Sequence, residues 1–173
     1  WCFRTMDISQ DYFSCYGLPC DYSVDLAVLR QLHRRLQQAN HPDRFVNESD
    51  GEQRRAVQVT AYLNQAYAIL SNPLTRGIYL LQLQGMDPLA PTNTQMSMDF
   101  LLQQIELRES LEDMPGAPDP QVEIDAMASQ LQHQASQLEV DFAQAYGSSD
   151  FEAAETAVRK LQFIFKLQQQ LDA

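Results

Sequence analysis

The chain has 173 residues, 45% of them hydrophobic, and a formal net charge of −11. That size and composition allow one ordinary domain or two small ones and exclude wholesale disorder, and no apolar run is long enough to cross a bilayer. Residues 85–173, with four Lys+Arg against fifteen Asp+Glu, hold all of the net charge; such an acidic half repels phosphate backbones and anionic lipid and points to a protein partner with a basic patch.

In chain order, residues 1–5 carry no cap or periodic stripe, and starting at Met6 is expected to cost nothing. A short helical segment is expected around Asp11–Tyr16. A helix follows over about 24–39, with Val28 or Leu29, Leu32 and Leu36 on its inner face. The next begins at a capping box, Ser49-Asp50-Gly51-Glu52, and its stripe is Val59, Leu63, Ala66 and Leu70. Asn72-Pro73 ends it, and a shorter helix over 74–83 leads to Gly85. Proline-bearing stretches at 86–93 and 114–120 bracket the following helix, expected over about 95–113.

Two longer helices complete the chain. The first has Asp119 as N-cap and Pro120 at its first position, with a stripe of Ile124, Ala128, Leu131, Ala135, Leu138 and Phe142. The second is expected from a capping box, Ser149-Asp150-Phe151-Glu152, with Ala154, Ala157, Leu161, Ile164 and Phe165 inward. No stretch alternates like a strand. The fold class is therefore all-α: a helical hairpin, then three amphipathic helices with short connections, the pattern of an antiparallel bundle.

Two features carry function. His41-Pro42-Asp43 lies in the connection of the hairpin. Pro42 fixes its own φ and drives His41 out of helical geometry, so the loop is stiff before anything binds it. Asp43 offers a carboxylate for a bidentate arginine, and Arg30, Arg34 and Arg35 on the preceding helix can steer an acidic partner. The plain alternatives are a loop with an Asx-type turn or half of a metal site for His41 and Asp43, as in a metal-dependent hydrolase, and a solvated basic face for the arginines. The second feature is the helix over 95–113, apolar on two sides. Phe100, Leu107, Leu111 and Met114 form a core face, whereas Met98, Leu101, Leu102 and Ile105 form another opposite it. That second face is a binding patch or is covered by the hairpin. Phe163 lies off the core stripe of the last helix.

Helix, His-Pro-Asp loop, helix resembles the J-domain of DnaJ-type co-chaperones. The fuller text is similar to the HscB-like branch that serves iron–sulfur cluster assembly. The matching blocks are Asp11-Tyr12-Phe13 with Gly17-Leu18-Pro19, residues 61–68 with Leu70, Asn72-Pro73-Leu74, Arg76 and Tyr79-Leu80-Leu81, Phe100-Leu101-Leu102 with Glu106-Leu107-Arg108-Glu109, and Val158-Arg159-Lys160-Leu161 with Phe163. The sequence departs from the family at Asn40 and His33, where aromatic residues are frequent.

The resemblance implies a J-domain over 8–84 and an acidic three-helix bundle over 93–172, in an adaptor that is not an enzyme. It implies two partners: an HscA-type 70-kDa chaperone ATPase, met by His41, Pro42, Asp43, Arg30, Arg34 and Arg35, and an IscU-type iron–sulfur scaffold protein, met by Leu101, Leu102, Ile105, Glu106, Glu109 and Phe163. A J-domain adaptor for a different client is the alternative. No cofactor and no metal are expected. Only three cysteines (Cys2, Cys15, Cys20) are present, an odd number that fits a reducing cytoplasm better than a disulfide framework, and Cys15 and Cys20 are expected to be small buried residues.

Overall fold

The computed structural model describes residues 10–90 and 96–173; the expectation for residues 1–5 lies outside them. Among the described residues there are helices and no strands. The chain divides into two compact units between Leu80 and Leu81.

In the first unit, α1 (Tyr12–Cys15) starts at Asp11, whose carboxylate accepts from the Ser14 amide at 2.9 Å. α2 (Leu26–Asn40) starts at Asp25, which accepts from the amides of Ala27 and Val28. α3 (Asp50–Ser71) starts at Ser49, as the capping box requires, and buries Ala56, Val59, Leu63, Ala66 and Leu70. This is the expected stripe with one more turn. Leu29, not Val28, is the buried residue of α2. A fully buried leucine contributes about 1.5–3 kcal/mol, so Phe13, Leu29, Leu63 and Leu70, all fully buried, dominate this small core.

α4 (Pro73–Leu83) turns away at Asn72, which is held extended by the proline after it. The Asn72 side chain accepts from the amides of Leu74 and Thr75, satisfying the orphan donors of the new helix. Arg76 is buried at this corner. It donates to the Leu70 carbonyl at 2.8 Å, and its guanidinium lies 4.8 Å from the Tyr22 ring centroid. The charge thus caps the end of α3 and rests on an aromatic face.

His33 stacks on Tyr67, with centroids 4.3 Å apart, and its Nδ1 lies 2.7 Å from the Tyr16 hydroxyl. Because that hydroxyl donates to the Leu63 carbonyl, the imidazole must supply the proton between them. One ring therefore ties α2 to α3 and to the turn after α1. Burial holds the His33 pKa below its ordinary 6.5. The folded state prefers the neutral ring, so the stabilisation is full above that value and is lost as the pH falls below it toward the folded-state pKa. Unfolding midpoints measured between about pH 7 and pH 5 should fall more steeply for the wild type than for His33→Phe, which keeps a ring on Tyr67. Parallel pH profiles would show that His33 has no part in the slope. Cys15 is half-buried, with its thiol pushed up to about 11 by burial, whereas Cys20 is exposed. The expectation that both cysteines are buried is corrected for Cys20, which follows Pro19 in the loop beyond α1.

The second unit holds the rest of α4 and the three long helices. Arg159 donates to the Pro88 carbonyl at 3.1 Å and pairs with Glu155 at 2.6 Å, fixing the segment after α4 on α7. α5 (Met98–Asp113) is capped by Ser97. A 3-10 turn, Met114–Gly116, leads toward α6 (Pro120–Gly147), which has Asp119 as its cap and Pro120 at its first position. α7 (Phe151–Asp172) returns along α6.

Three expectations change here. α7 is capped by Asp150, which accepts from the Ala153 amide, and not by Ser149. Ser149 is instead the left-handed residue (φ 60) that ends α6. The Asp150 amide reaches the Ala145 carbonyl and the Ser149 amide the Tyr146 carbonyl, the paired bonds of a Schellman turn. The buried stripe of α6 is Met127, Leu131, Ala135, Phe142 and Ala145, with Ile124, Ala128 and Leu138 only half-buried. Phe163 is buried and Phe165 half-buried, the reverse of the wheel assignment. α7 faces both α5 and α6, so its inward arc is wider than one stripe.

Glycine has no Cβ clash in left-handed geometry, yet serine occupies position 149. Ser149→Gly is therefore expected to stabilise the chain by about 0.5–1 kcal/mol, read as a higher denaturant midpoint. A lower midpoint would show that the serine side chain matters to the turn.

Candidate docking sites

α2 stops at Asn40 because Pro42 forbids helical geometry at His41, which sits at φ −61, ψ 133. A 3-10 turn, Pro42–Phe45, follows. The turn is exposed at its tip: the Asp43 side chain is 88% accessible and that of His41 55%. His41 Nδ1 accepts from the Asp43 amide at 3.2 Å, which leaves the ring proton of the neutral form on Nε2, and lies 3.5 Å from the Asp43 carboxylate.

The turn is pinned from both sides. The Arg44 amide donates to the His41 carbonyl, and its guanidinium donates to the Gln38 carbonyl at the end of α2. From α3, Thr60 donates to the Asn40 carbonyl, and Gln53 donates to the carbonyls of Val46 and Glu48. Gln37 of α2 bonds Asn64 of α3 at 2.8 Å. Asn40, the departure noted above, donates its amide to the Leu36 carbonyl and so closes the last turn of α2.

Arg34, His41 and Arg44 line one open depression beside the turn, with Gln37, Gln38 and Thr60. Arg30 and Arg35 are exposed on α2 but lie outside that depression. Among the described residues no carboxylate pairs with Arg30, Arg34 or Arg35. Arg44 escaped the sequence reading, which looked for basic charge only on the helix before the tripeptide. The signal was its place directly after Asp43.

On α5 the two apolar faces separate as the helical wheel requires. Phe100, Leu107 and Met114 are buried, whereas Met98, Leu101, Leu102 and Ile105 are 40–69% exposed. Glu106 and Glu109 are exposed beside them. Phe163, expected on this exposed patch, is only 8% accessible. Its ring meets Phe100 edge-on with centroids 5.7 Å apart, and the Arg108 guanidinium covers it at 5.4 Å. Phe163 thus supports α5 from behind.

A hairpin presenting an exposed His-Pro-Asp turn, followed by three long helices, is the arrangement expected from the resemblance to J-domain co-chaperones. The HSCB C-terminal oligomerisation domain matches residues 96–172. The chain is 37% identical over 168 residues to the co-chaperone protein HscB homolog of Azoarcus sp. (strain BH72), covering 96% of this chain and 94% of that one. It is 39% identical over 162 residues to the homolog of Cupriavidus taiwanensis, covering 93% and 91%. The chaperone HscB from Vibrio cholerae superposes with a TM-score of 0.84 at 33% identity, covering 94% of this chain and 96% of that one. Human co-chaperone protein HscB gives 0.88 at 27% identity, covering 96% and 82%. The chain belongs to the HscB co-chaperones of iron–sulfur cluster assembly, a family that is not enzymatic. No helix among the described residues is long and apolar enough to cross a membrane.

Proposed function

We propose that residues 8–84 work as a J-domain that docks on the ATPase domain of an HscA-type 70-kDa chaperone. Residues 93–172 hold an IscU-type iron–sulfur scaffold protein, in the cytoplasm. The observation that carries this reading is the exposed, doubly pinned turn at His41-Pro42-Asp43. A loop already ordered before contact spares the entropy of ordering it on binding. Asp43 then presents its carboxylate to an arginine, His41 offers a ring donor, and Arg30, Arg34 and Arg35, with Arg44, draw in an acidic surface.

This chain contributes no reacting group. Stimulation of ATP hydrolysis is a coupling free energy, in which docking favours the chaperone conformation that hydrolyses faster. The client lies on Leu101, Leu102 and Ile105, with Glu106 and Glu109 as polar rim, and Phe163 acts by holding α5 in place. Exposed apolar side chains clustered this way cost solubility unless a partner covers them. The test is the chaperone ATPase rate with this protein and with the scaffold, added singly and together. Stimulation by this protein that the scaffold enhances is the expected result. Stimulation that the scaffold leaves untouched would point to a different client.

A further inference from the structure

The exposed face of α5 does not begin at Leu101. Met98, the first residue of the helix, precedes Leu101, Leu102 and Ile105 by three, four and seven positions. That spacing puts it on their face, one turn nearer the N-terminus. It is 69% accessible, more than any of the three. The other methionines among the described residues are covered: Met86 and Met96 are half-buried, and Met114 and Met127 are buried.

Exposure decides the chemistry of a thioether. Its sulfur has no proton to lose and reacts through a lone pair, so its oxidation follows access, whereas that of a thiol also follows pKa. Hydrogen peroxide transfers one oxygen atom to the sulfur: the O–O bond breaks and an S–O bond forms. The thioether is oxidised to the sulfoxide and the peroxide is reduced to water. Met114 and Met127 are shielded from that attack by the packing around them. The product then changes what the face can do. A sulfoxide carries a polar oxygen, and covering it with an apolar partner leaves that oxygen unpaired or brings water into the contact. Leu101, Leu102 and Ile105 are inert to peroxide, so the sensitivity of this face lies at one end of it.

We propose that Met98 is an oxidation site that extends the client face of α5 by one turn and weakens client binding when a peroxide converts its thioether to the sulfoxide. The proposal rests on reading that face as the client site. Methionine sulfoxide reductases return the thioether, so the loss is reversible. The turn at His41-Pro42-Asp43 contains no sulfur, and the oxidised chain keeps its stimulation of the chaperone ATPase while it loses the client.

To test this, the full chain is treated with limiting hydrogen peroxide, freed of oxidant and incubated with dithiothreitol, which reverses mild thiol oxidation and leaves the sulfoxide. Peptide mass mapping should find the added oxygen at Met98 ahead of Met114 and Met127. Titration with an IscU-type scaffold protein should show binding weakened about three- to tenfold. The two reductases, one for each sulfoxide epimer, should restore it. Met98→Leu, which keeps an apolar side chain without the sulfur, should hold its affinity through the same treatment. Met98→Gln should bind more weakly than wild type with no oxidant at all. Melting curves of each sample separate loss of fold from loss of the contact.

Sulfoxide at Met98 with scaffold binding within about twofold of the untreated chain overturns the proposal. So does a Met98→Leu chain that loses as much binding as wild type, because the lesion then lies on another residue. Oxidation of Met114 or Met127 ahead of Met98 also overturns it. In each of these cases the untreated chain still binds, and the client reading of α5 stands. An untreated wild-type chain that fails to bind the scaffold overturns that reading and the proposal with it.

Discussion

Asp43→Asn and His41→Gln are each expected to abolish stimulation of the chaperone ATPase while the melting temperature stays within a degree or two of wild type. The stability half follows from exposure: the Asp43 side chain is 88% accessible, and exposed substitutions away from special backbone sites usually cost less than about 0.5 kcal/mol. The 3.5 Å approach of His41 Nδ1 to the Asp43 carboxylate is at the surface and is an ion pair only with the ring protonated, so losing it costs little.

The functional half follows from the proposed docking on the chaperone. Asparagine keeps the shape of aspartate and removes its charge, leaving an arginine of the partner without its carboxylate. Losing one member of a desolvated charge pair costs about 2–5 kcal/mol, enough to weaken coupling from tens to thousands of times. Circular dichroism, a melting curve and a steady-state ATPase assay decide the matter together. Full stimulation by either folded variant would remove the tripeptide from the docking surface.

The second large effect is expected on α5. Truncating Leu101, Leu102 and Ile105 together to alanine should weaken scaffold binding by about 3–5 kcal/mol, because central apolar contacts dominate interface energy. The three side chains are exposed, so their loss opens no core cavity, and alanine keeps the helix. Stimulation of the chaperone ATPase without scaffold should be unchanged. Calorimetric binding next to a thermal melt separates the outcomes. If the variant unfolds, this face is structural and the client lies elsewhere.

Much of this architecture is legible in the sequence because local chemistry sets it. Asp25, Ser49, Asp119 and the Asn72-Pro73 break start or stop helices through bonds to backbone groups within a few residues. A reading along the chain can find those. Phe163 was misplaced for the opposite reason. A single wheel gives one inward stripe, whereas the burial of Phe163 depends on the ring of Phe100 some sixty positions earlier. Ser149 misled because serine favours both caps and turns, and only the bonds to Ala145 and Tyr146 assign it to the end of α6. The tripeptide itself was plain, but the side chains that pin it were not. Thr60 and Gln53 sit within α3 and show no pattern until the backbone folds back.

Those pins bear on the docking equilibrium itself. A loop that wandered and reached its binding geometry only a tenth of the time would bind about tenfold more weakly than a fixed one, with every contact to the chaperone intact. Thr60 and Gln53 hold carbonyls flanking the turn, so under the proposed docking they would set how often the turn holds its competent geometry. On the proposed reading, docking therefore depends on a wider set of residues than His41, Pro42 and Asp43. A change in α3 can erode the co-chaperone while leaving His41, Pro42 and Asp43 untouched.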